Sequence, residues 1–550
     1  MKKETTPYLL LLACFLLNVL NSLAQPVWQQ SSPKYEIRAV WLTTIGGIDW
    51  PHFYYASSQQ EELRTTLDKL KKAGINTVFL QTRVRATTIY PSVLEPWDGC
   101  MSGTPGKAPN YDPLQFAIDE CHKRGMQLHA WVVTIPIGKW TKYGCTQLRK
   151  KQPKMVTKIG DEGYLNPERP ETADYLARIC REIVDYYDVD GIHLDYIRYP
   201  ETWKLKVSKE QGRANITRIV RTIYKEVKSR KPWVMLSCSP IGKHDNLLRY
   251  SSNGWNARSR VHQDAQQWLK EGIMDALFPM MYFRDNNFFP FAIDWQEHAY
   301  GRLVVPGLGI YFLDPREGRW TLDVVERQMS VLRQLGMGHC FFRSKFLTDN
   351  TRGIYNLTCQ MNTTPALIPP MKWQSAVVPD APSHLYINNG ESLSWQTDPQ
   401  LVYNVYASAN YPVDTDNPKN LVATRLQQGS FLIDGNRPLN YAVTAQDRYG
   451  QESRAVQLEQ PLVATASQSL FDQRQLVIAD RSVLLPVKPS TLDADYLLIQ
   501  TLQGTTVRLI PYRGQKLNTV SLPEGVYQWR SLGNKGRNHR MGFFAIKHQH

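Results

Sequence analysis

The chain predicts an α/β fold, a (β/α)8 TIM-type barrel followed by two small β-sandwich modules. Three observations carry that expectation. Between Ile37 and Phe346 a short apolar run, a polar or Gly/Pro-rich loop and an amphipathic helix recur in turn, eight times over roughly 300 residues. The apolar runs are nearly continuous in hydrophobicity, as strands buried on both faces must be. After Thr351 the helical period gives way to short alternating runs, the pattern of half-buried sandwich strands. No G-x-G-x-x-G or G-x-x-x-x-G-K-[ST] follows a strand, so nucleotide-binding folds lose support.

The first 24 residues read as a signal peptide. Lys2 and Lys3 precede an apolar run from Tyr8 to Leu20, and Ser22 and Ala24 place small residues before a cut at Ala24/Gln25. Leu11-Leu12-Ala13-Cys14 has the shape of a lipobox, but Phe15-Leu16-Leu17 continues the apolar run beyond Cys14. Simple export to the periplasm or outer cell envelope is therefore expected, with a lipid anchor on Cys14 as the alternative. The run of about 13 apolar residues is too short to span a membrane, and no later stretch reaches the roughly 20 required.

Residues 34–350 hold the barrel. Its candidate strands are Arg38–Thr43, Thr77–Arg83, Gln127–Val133, Gly191–Asp195, Met235–Ser239, Ala276–Tyr282, Val304–Ile310 and Gly338–Arg343. Ser57 or Ser58 can cap a helix that carries Leu63, Leu67 and Leu70 on one face and closes at Gly74. Asp112-Pro113 is an N-cap followed by proline at the first helical position, in a helix ending at Gly125. Asn166 and Pro170 introduce a third helix, with Leu176, Ile179 and Ile183, and Thr321 opens one that stops at Gly336.

The stretch 360–382, with Pro365, Pro369, Pro370, Pro379 and Pro382, reads as a stiff linker. Residues 383–460 follow with runs Ser392–Gln396, Val402–Ala407, Leu421–Leu426, Ser430–Asp434 and Asn440–Asp447, and this segment resembles a fibronectin type III domain. Residues 461–550, with runs such as Tyr496–Leu502 and Val526–Ser531, read as a second small β-rich module. Both suit spacers or docking modules better than catalysts.

Lys plus Arg number 65 against 50 Asp plus Glu, a formal charge of +15, which favours anionic partners. The excess is spread without a long Lys/Arg block, so nucleic acid is not the expected partner. The 15 Trp and 28 Tyr suit flat, hydroxylated ligands such as sugars, although aromatics also build cores. Removal of Cys14 leaves seven of eight cysteines, widely spaced and without a C-x-x-C pair, so neither a disulfide framework nor zinc is expected. No metal-ligand cluster is evident, and no cofactor is predicted.

In such a barrel chemistry sits at the carboxyl ends of the strands. Asp195 ends the run Gly191-Ile192-His193-Leu194-Asp195, and alternation places it on the face of His193, opposite Ile192 and Leu194. A structural pairing with Arg198 is the plainer reading, and Asp190 at the other end of the strand reads as structural. Other strand ends supply Gln81, Arg83, Arg85, His129, Trp131, Ser237, Ser239, Tyr282, Tyr311 and Arg343, with Tyr199 just beyond Arg198. A cup lined by arginine, tyrosine and tryptophan around a carboxylate fits carbohydrate. His129 and His193 serve equally well as hydrogen-bonded core residues, and Trp131 as barrel filling.

Several ordered motifs resemble the family 10-like glycosyl hydrolases: Arg38-Ala39-Val40-Trp41-Leu42-Thr43, Glu95-Pro96-Trp97, Gly106-Lys107 before Tyr111-Asp112-Pro113-Leu114, His122-Lys123-Arg124-Gly125, His129-Ala130-Trp131, and the run Gly191–Pro200. The resemblance covers about Lys34 to Phe346. It implies a (β/α)8 glycoside hydrolase acting in or beyond the periplasm, in a family that includes a bacterial hydrolase of denuded peptidoglycan strands. Where that family often has Gln after Pro on the sixth strand and a second Asp after the fourth-strand Asp, this chain has Met280 and Tyr196. Arg83 or Arg85 could receive a muramic lactyl carboxylate. Glycoside hydrolysis normally needs two carboxyl groups. Glu95, Glu201, Asp285 and Asp314 compete to partner Asp195, with Glu95 favoured because Pro96-Trp97 offers apolar surroundings that raise an acid's pKa. An N-acetyl group on the substrate can replace an enzyme nucleophile. The alternatives are a barrel that binds glycan without cleaving it, or a hydrolase of another polysaccharide.

Overall fold

The structure, a computed structural model, describes residues 32–252, 254–388, 391–433, 439–458, 477–479, 481–483, 495–501, 506–512, 516–532 and 538–547. The expected signal peptide, with Cys14 and Ala24, lies outside them. The chain divides into two units, Met1–Pro461 and Leu462–His550.

The first unit is built on eight parallel strands: β1 (Arg38–Leu42), β2 (Thr77–Arg83), β3 (Gln127–Val133), β4 (Gly191–Asp195), β5 (Met235–Ser239), β6 (Ala276–Leu277), β7 in two pieces (Leu303–Val304 and Gly307–Leu308) and β8 (His339–Phe341). Leu303 pairs with Ala276 on one side, while Gly307 pairs with Cys340 on the other. Strand β7 therefore closes the sheet on itself, and the barrel has no edge. The sixth and seventh strands are shorter than their apolar runs. Pro279 and Pro306 interrupt them, because proline has no N–H to give the ladder.

A helix follows each strand: α1 (Ala56–Lys72), α2 (Pro113–Lys123), α3 (Pro170–Tyr186), α4 (Lys209–Arg230), α5 (Ala265–Lys270), α6 (Phe289–Glu297), α7 (Leu322–Gln334) and α8 (Ile354–Met361). Asp112 caps α2, accepting from Leu114 N at 3.0 Å and Gln115 N at 3.1 Å. Ser57 and Ser58 do not cap α1; the helix starts ahead of them at Ala56, after Tyr55. Alternation sorts the strands' side chains. Val40, Leu80, Ala130, Ile192 and Leu236 face the helices, whereas Trp41, Phe79, Trp131, Met235 and Phe278 fill the interior.

The Pro-rich stretch is held against the amino-terminal end of the barrel. Glu36 N donates to Leu367 O at 2.9 Å and Leu367 N to Lys34 O at 2.8 Å. Ile368 and Met371 join the interior cluster from below, and Trp373 Nε1 donates to the buried Asp275 at 2.8 Å. Apolar residues between the prolines explain the packing. They need cover, and the open barrel end supplies it.

Two antiparallel sheets follow. One contains Ser383–Asn388, Ser392–Gln396 and Ser430–Leu432, and the other Leu421–Leu426, Val402–Ser408, Asn440–Gln446 and Val456–Gln457. This module touches the same barrel end. Arg425 pairs with Asp190 at 2.6 Å, Arg448 with Asp188 at 2.7 Å, and Lys34 with Glu452 at 2.9 Å. Gly125 meets the Thr424 carbonyl so closely that a Cβ would collide with it. Asp190 also accepts from His122 Nε2 at 2.8 Å and Leu128 N at 2.9 Å, which is the structural role expected of it. Arg425→Ala is expected to cost about 1–3 kcal/mol by stripping a charged partner from a buried carboxylate. Thermal melts should show the barrel destabilised by this change in the neighbouring module, whereas an unchanged midpoint would mean the contact is idle.

Buried titratable groups in this half make the fold acid-sensitive. Burial pushes His129 down to about 4 and His339 down to about 3. Burial alone would raise Glu36, but Arg38 and Arg333 hold it down to about 2. Below pH 6.5 the unfolded histidines take up protons that the folded ones refuse, so stability falls as pH drops from about 6.5 toward 4. Below the ordinary Glu value of 4.5 the unfolded Glu36 adds a further loss. Denaturant midpoints measured from pH 8 to 4 should be level above pH 7 and decline below it. A flat profile down to pH 4 would contradict this account.

The second unit contains a five-stranded sheet of Val477–Ala479, Asn538–Ile546, Gly525–Leu532, Asp495–Thr501 and Thr506–Tyr512, in that spatial order. A two-stranded ribbon, Ser482–Val483 with Leu517–Asn518, accompanies it. Leu497, Ile499, Tyr527, Trp529 and Phe544 form its core.

Candidate active site

Asp195, at the carboxyl end of β4, is half-buried, with its carboxyl set among donors at the barrel mouth. Oδ1 accepts from Ser239 Oγ at 2.9 Å and from Tyr196 N at 2.8 Å, and Oδ2 accepts from Trp131 Nε1 at 3.2 Å. Parallel pairing sets this arrangement, because β4 lies between β3 and β5 with Asp195 level with Val133 and Ser239. Three donors aimed at one carboxyl fit its ionised form, which only accepts. The chain turns sharply just beyond: Tyr196 has φ +56°, in the left-handed region.

Beside this carboxylate lies an aromatic wall. Tyr282 meets Tyr311 edge-on at 5.7 Å, and Phe342 lies 5.5 Å from Tyr282. Burial, with the charge of Asp195 among further causes, pushes the Tyr282 hydroxyl well up, so the phenol stays protonated. On the connection that leaves β4 a second carboxylate is held by its neighbours. Glu201 accepts from Tyr196 Oη and from Arg198 Nη2 at 2.7 Å, and the Arg198 guanidinium lies 3.5 Å above the Tyr196 ring. Burial alone would raise the Glu201 carboxyl, but Arg198 and Tyr196 hold it below the ordinary value.

Several expected site residues are withdrawn from the mouth. Glu95 is not placed as a proton donor: Arg83 Nε and Nη2 grip its two oxygens at 2.8 and 2.6 Å, Tyr175 Oη donates to it at 2.8 Å, and the group is buried. Arg83, also buried, is spent on that pair and on the carbonyls of Val133 and Thr134, so it cannot receive a substrate acid. Glu95 is buried, but against a guanidinium and a phenol rather than in apolar surroundings alone.

His193 and His129 prove to be core residues. Trp41 Nε1 donates to His193 Nε2 at 3.1 Å, Ser237 Oγ bonds its Nδ1 at 2.9 Å, and Phe79 stacks on it at 4.2 Å. Burial holds His193 well below the ordinary value, hence neutral. His129 bonds Gln127 at 3.0 Å. Tyr199 is buried against Trp203 and bonds Asn215 at 3.1 Å. Arg343 is paired with Asp49, which ties the loop after β1 to the end of β8. Asp314 is held down to about 2 by Arg316, which closes a surface turn, and Asp285 stays exposed. Arg85 is exposed at the lip, the one expected arginine left open to a ligand. Asp195, Trp131, Tyr282 and Tyr311 thus remain together, joined by Ser239. Sequence reasoning gave too little weight to Tyr196 and Glu201, whose only signal was their spacing after Asp195. The cavities bounded by Asp190 and Arg425 and by Arg302 and Gly338 lie at the opposite barrel end.

A closed (β/α)8 barrel with a donor-ringed strand-end carboxylate, flanked by tyrosines, is a scaffold suited to binding and hydrolysing carbohydrate. The sequence matches the family described as glycosyl hydrolase-like 10 over residues 36–211 and 204–311. The chain belongs to this family and is a glycoside hydrolase. It is 29% identical over 482 residues to the glycosyl hydrolase YngK of Bacillus subtilis, covering 78% of this chain and 94% of that protein. It is 32% identical over 296 residues to the glycosyl hydrolase DigH of Escherichia coli K12, covering 46% of this chain and 67% of that one. The glycoside hydrolase domain of PgaB (BpsB) from Bordetella bronchiseptica aligns with 57% of this chain and 99% of its own at 12% identity and a TM-score of 0.40, a likeness too distant to bear on substrate.

Proposed function

We propose that this protein is an exported glycosidase that hydrolyses O-glycosidic bonds in bacterial amino-sugar strands, with denuded peptidoglycan as its substrate. The carrying observation is the Asp195 carboxylate, half-open at the mouth and fixed by Trp131, Ser239 and the Tyr196 amide. With Glu95 withdrawn, the second carboxyl of the reaction is Glu201, on the same lip, linked to the Asp195 backbone through Tyr196. An N-acetyl carbonyl can supply the nucleophile, with Asp195 polarising that group. Glu201, protonated for the step, delivers its proton to the leaving glycosidic oxygen; water then opens the cyclised acetamido sugar and returns a proton to Glu201. Support for an acidic amino-sugar substrate is the exposed Arg85 together with the +15 net charge. The Lys2–Ala24 segment supports export. The three- and four-stranded sheets, with Leu421–Leu426 paired to Val402–Ser408 and Asn440–Gln446 to Val456–Gln457, support reading residues 383–460 as a fibronectin type III-like spacer.

The test is reducing-end release from three substrates in parallel: denuded strands, peptide-bearing sacculi and plant polysaccharide. Release from denuded strands alone supports the reading. Release only from plant polysaccharide would move the enzyme to the rival substrate class.

A further inference from the structure

The connections that leave β1 and β3 at the mouth end carry a row of exposed aromatic side chains, with the connection after β2 between them. Phe53, Tyr54 and Tyr55 are 51%, 62% and 76% exposed, and Tyr143 is 41% exposed. Single exposed aromatics are ordinary, but these sit on a locked frame. The buried Gln59 amide donates to the carbonyls of Phe53 at 2.6 Å and Met101 at 2.8 Å, and Trp50 Nε1 donates to Gln59 O at 2.9 Å. Tyr111 Oη donates to Gln59 Oε1 at 2.8 Å, and Asp49 is held by Thr43, Ser344 and Arg343.

Two of the rings are backed by glycine. A Cβ on Gly103 would stand 3.4 Å from the Tyr54 ring, and one on Gly106 would stand 2.8 Å from that of Tyr143. Both glycines have left-handed φ, +77° and +83°, so residue type and backbone together leave room for a ring to lie flat. A ring seated on glycine keeps its opposite face open. The hydrogen bonds of Gln59 fix the backbone that carries Phe53 and Tyr54, which lowers the ordering cost of meeting a ligand. The C–H face of a pyranose is the matching surface, with ring hydroxyls left to water or to Tyr oxygens.

We propose that Tyr54 and Tyr143, with Phe53 and Tyr55 beside them, form a stacking track for a glycan strand running out from the mouth. It makes the enzyme prefer long strands to short ones. The inference rests on the glycosidase reading of the mouth and extends it. The ends of β1 and β4 are three strands apart, roughly 14 Å at ordinary strand spacing. The Tyr54 end of the track, on the connection after β1, therefore engages a sugar remote from Asp195, while Tyr143 follows β3, the neighbour of β4, and marks the end nearer the mouth.

The experiment titrates the full-length protein calorimetrically with denuded glycan strands and with their disaccharide unit. In Tyr54→Ser/Tyr143→Ser the preference for strands over disaccharide should fall about tenfold or more. Tyr54→Phe/Tyr143→Phe, which keeps both rings, should retain the preference. Circular dichroism should match the parent, since these side chains face solvent. A preference equal in all three proteins, or absent from the parent, overturns the proposal. Failure of the glycosidase reading looks different: the parent would release no reducing ends from strands, whatever its affinity for them.

Discussion

Asp195→Asn should lower turnover on glycan strands by roughly 10²–10⁴-fold, the usual worth of a positioned carboxyl in proton or charge transfer. The substituted amide has nearly the same shape and keeps one oxygen to accept from Ser239 or Tyr196, so binding should survive. Trp131 Nε1, however, would face an NH2 group in place of Oδ2, and the charge that a positive transition state needs would be gone. The expected signature is a fall in kcat with KM changed little. Equal losses in a melting experiment would instead assign Asp195 to folding, and unchanged turnover would remove it from the reaction.

The second large effect concerns stability. Arg83 and Glu95 form a buried bidentate pair. Glu95→Gln leaves a guanidinium without its counter-charge in the interior, at an expected cost of about 3–5 kcal/mol, and Arg83→Met strands Glu95 in the same way. Arg83→Met/Glu95→Gln removes both charges, so its loss should be well below the sum of the single losses. Urea midpoints of the four proteins check this. Kinetics on the folded fraction supply the discriminating half of the test, because Glu95→Gln should keep far more turnover than Asp195→Asn. A Glu95→Gln protein with parental stability and lost turnover would restore Glu95 as the catalytic partner.

The barrel was legible because its code is local. Continuous apolar runs such as Thr77–Arg83 and Gly191–Asp195 match the observed strands residue for residue, since burial on both faces leaves no other composition. The runs containing Pro279 and Pro306 extend beyond regular strand, because hydrophobicity continues where proline interrupts the ladder and pairing resumes only as isolated bridges at Met280 and the short piece Gly307–Leu308. The mouth was only partly legible. Strand alternation correctly aimed Asp195 and Trp131 inward, but alternation says nothing about depth. His129 and His193 point the same way and lie lower, packed among Phe79 and Trp41. Depth is set by the stagger of neighbouring strands, a property of the closed barrel. The pairing of Glu95 with Arg83 was hidden for a related reason: the two are 12 residues apart, and their meeting depends on how the loop after β2 folds back. The packing of Ile368 and Met371 beneath the barrel was masked by the prolines around them.

The most direct measurement is a crystal structure of Asp195→Asn soaked or grown with an amino-sugar oligosaccharide. The account predicts a sugar ring at the mouth, against Tyr282 and Trp131, with its anomeric carbon or its acetamido group within roughly 3–3.5 Å of the residue-195 side chain. A strand bound with every ring well beyond that reach, or a side chain at 195 that stays covered while the sugar lies elsewhere, would contradict it.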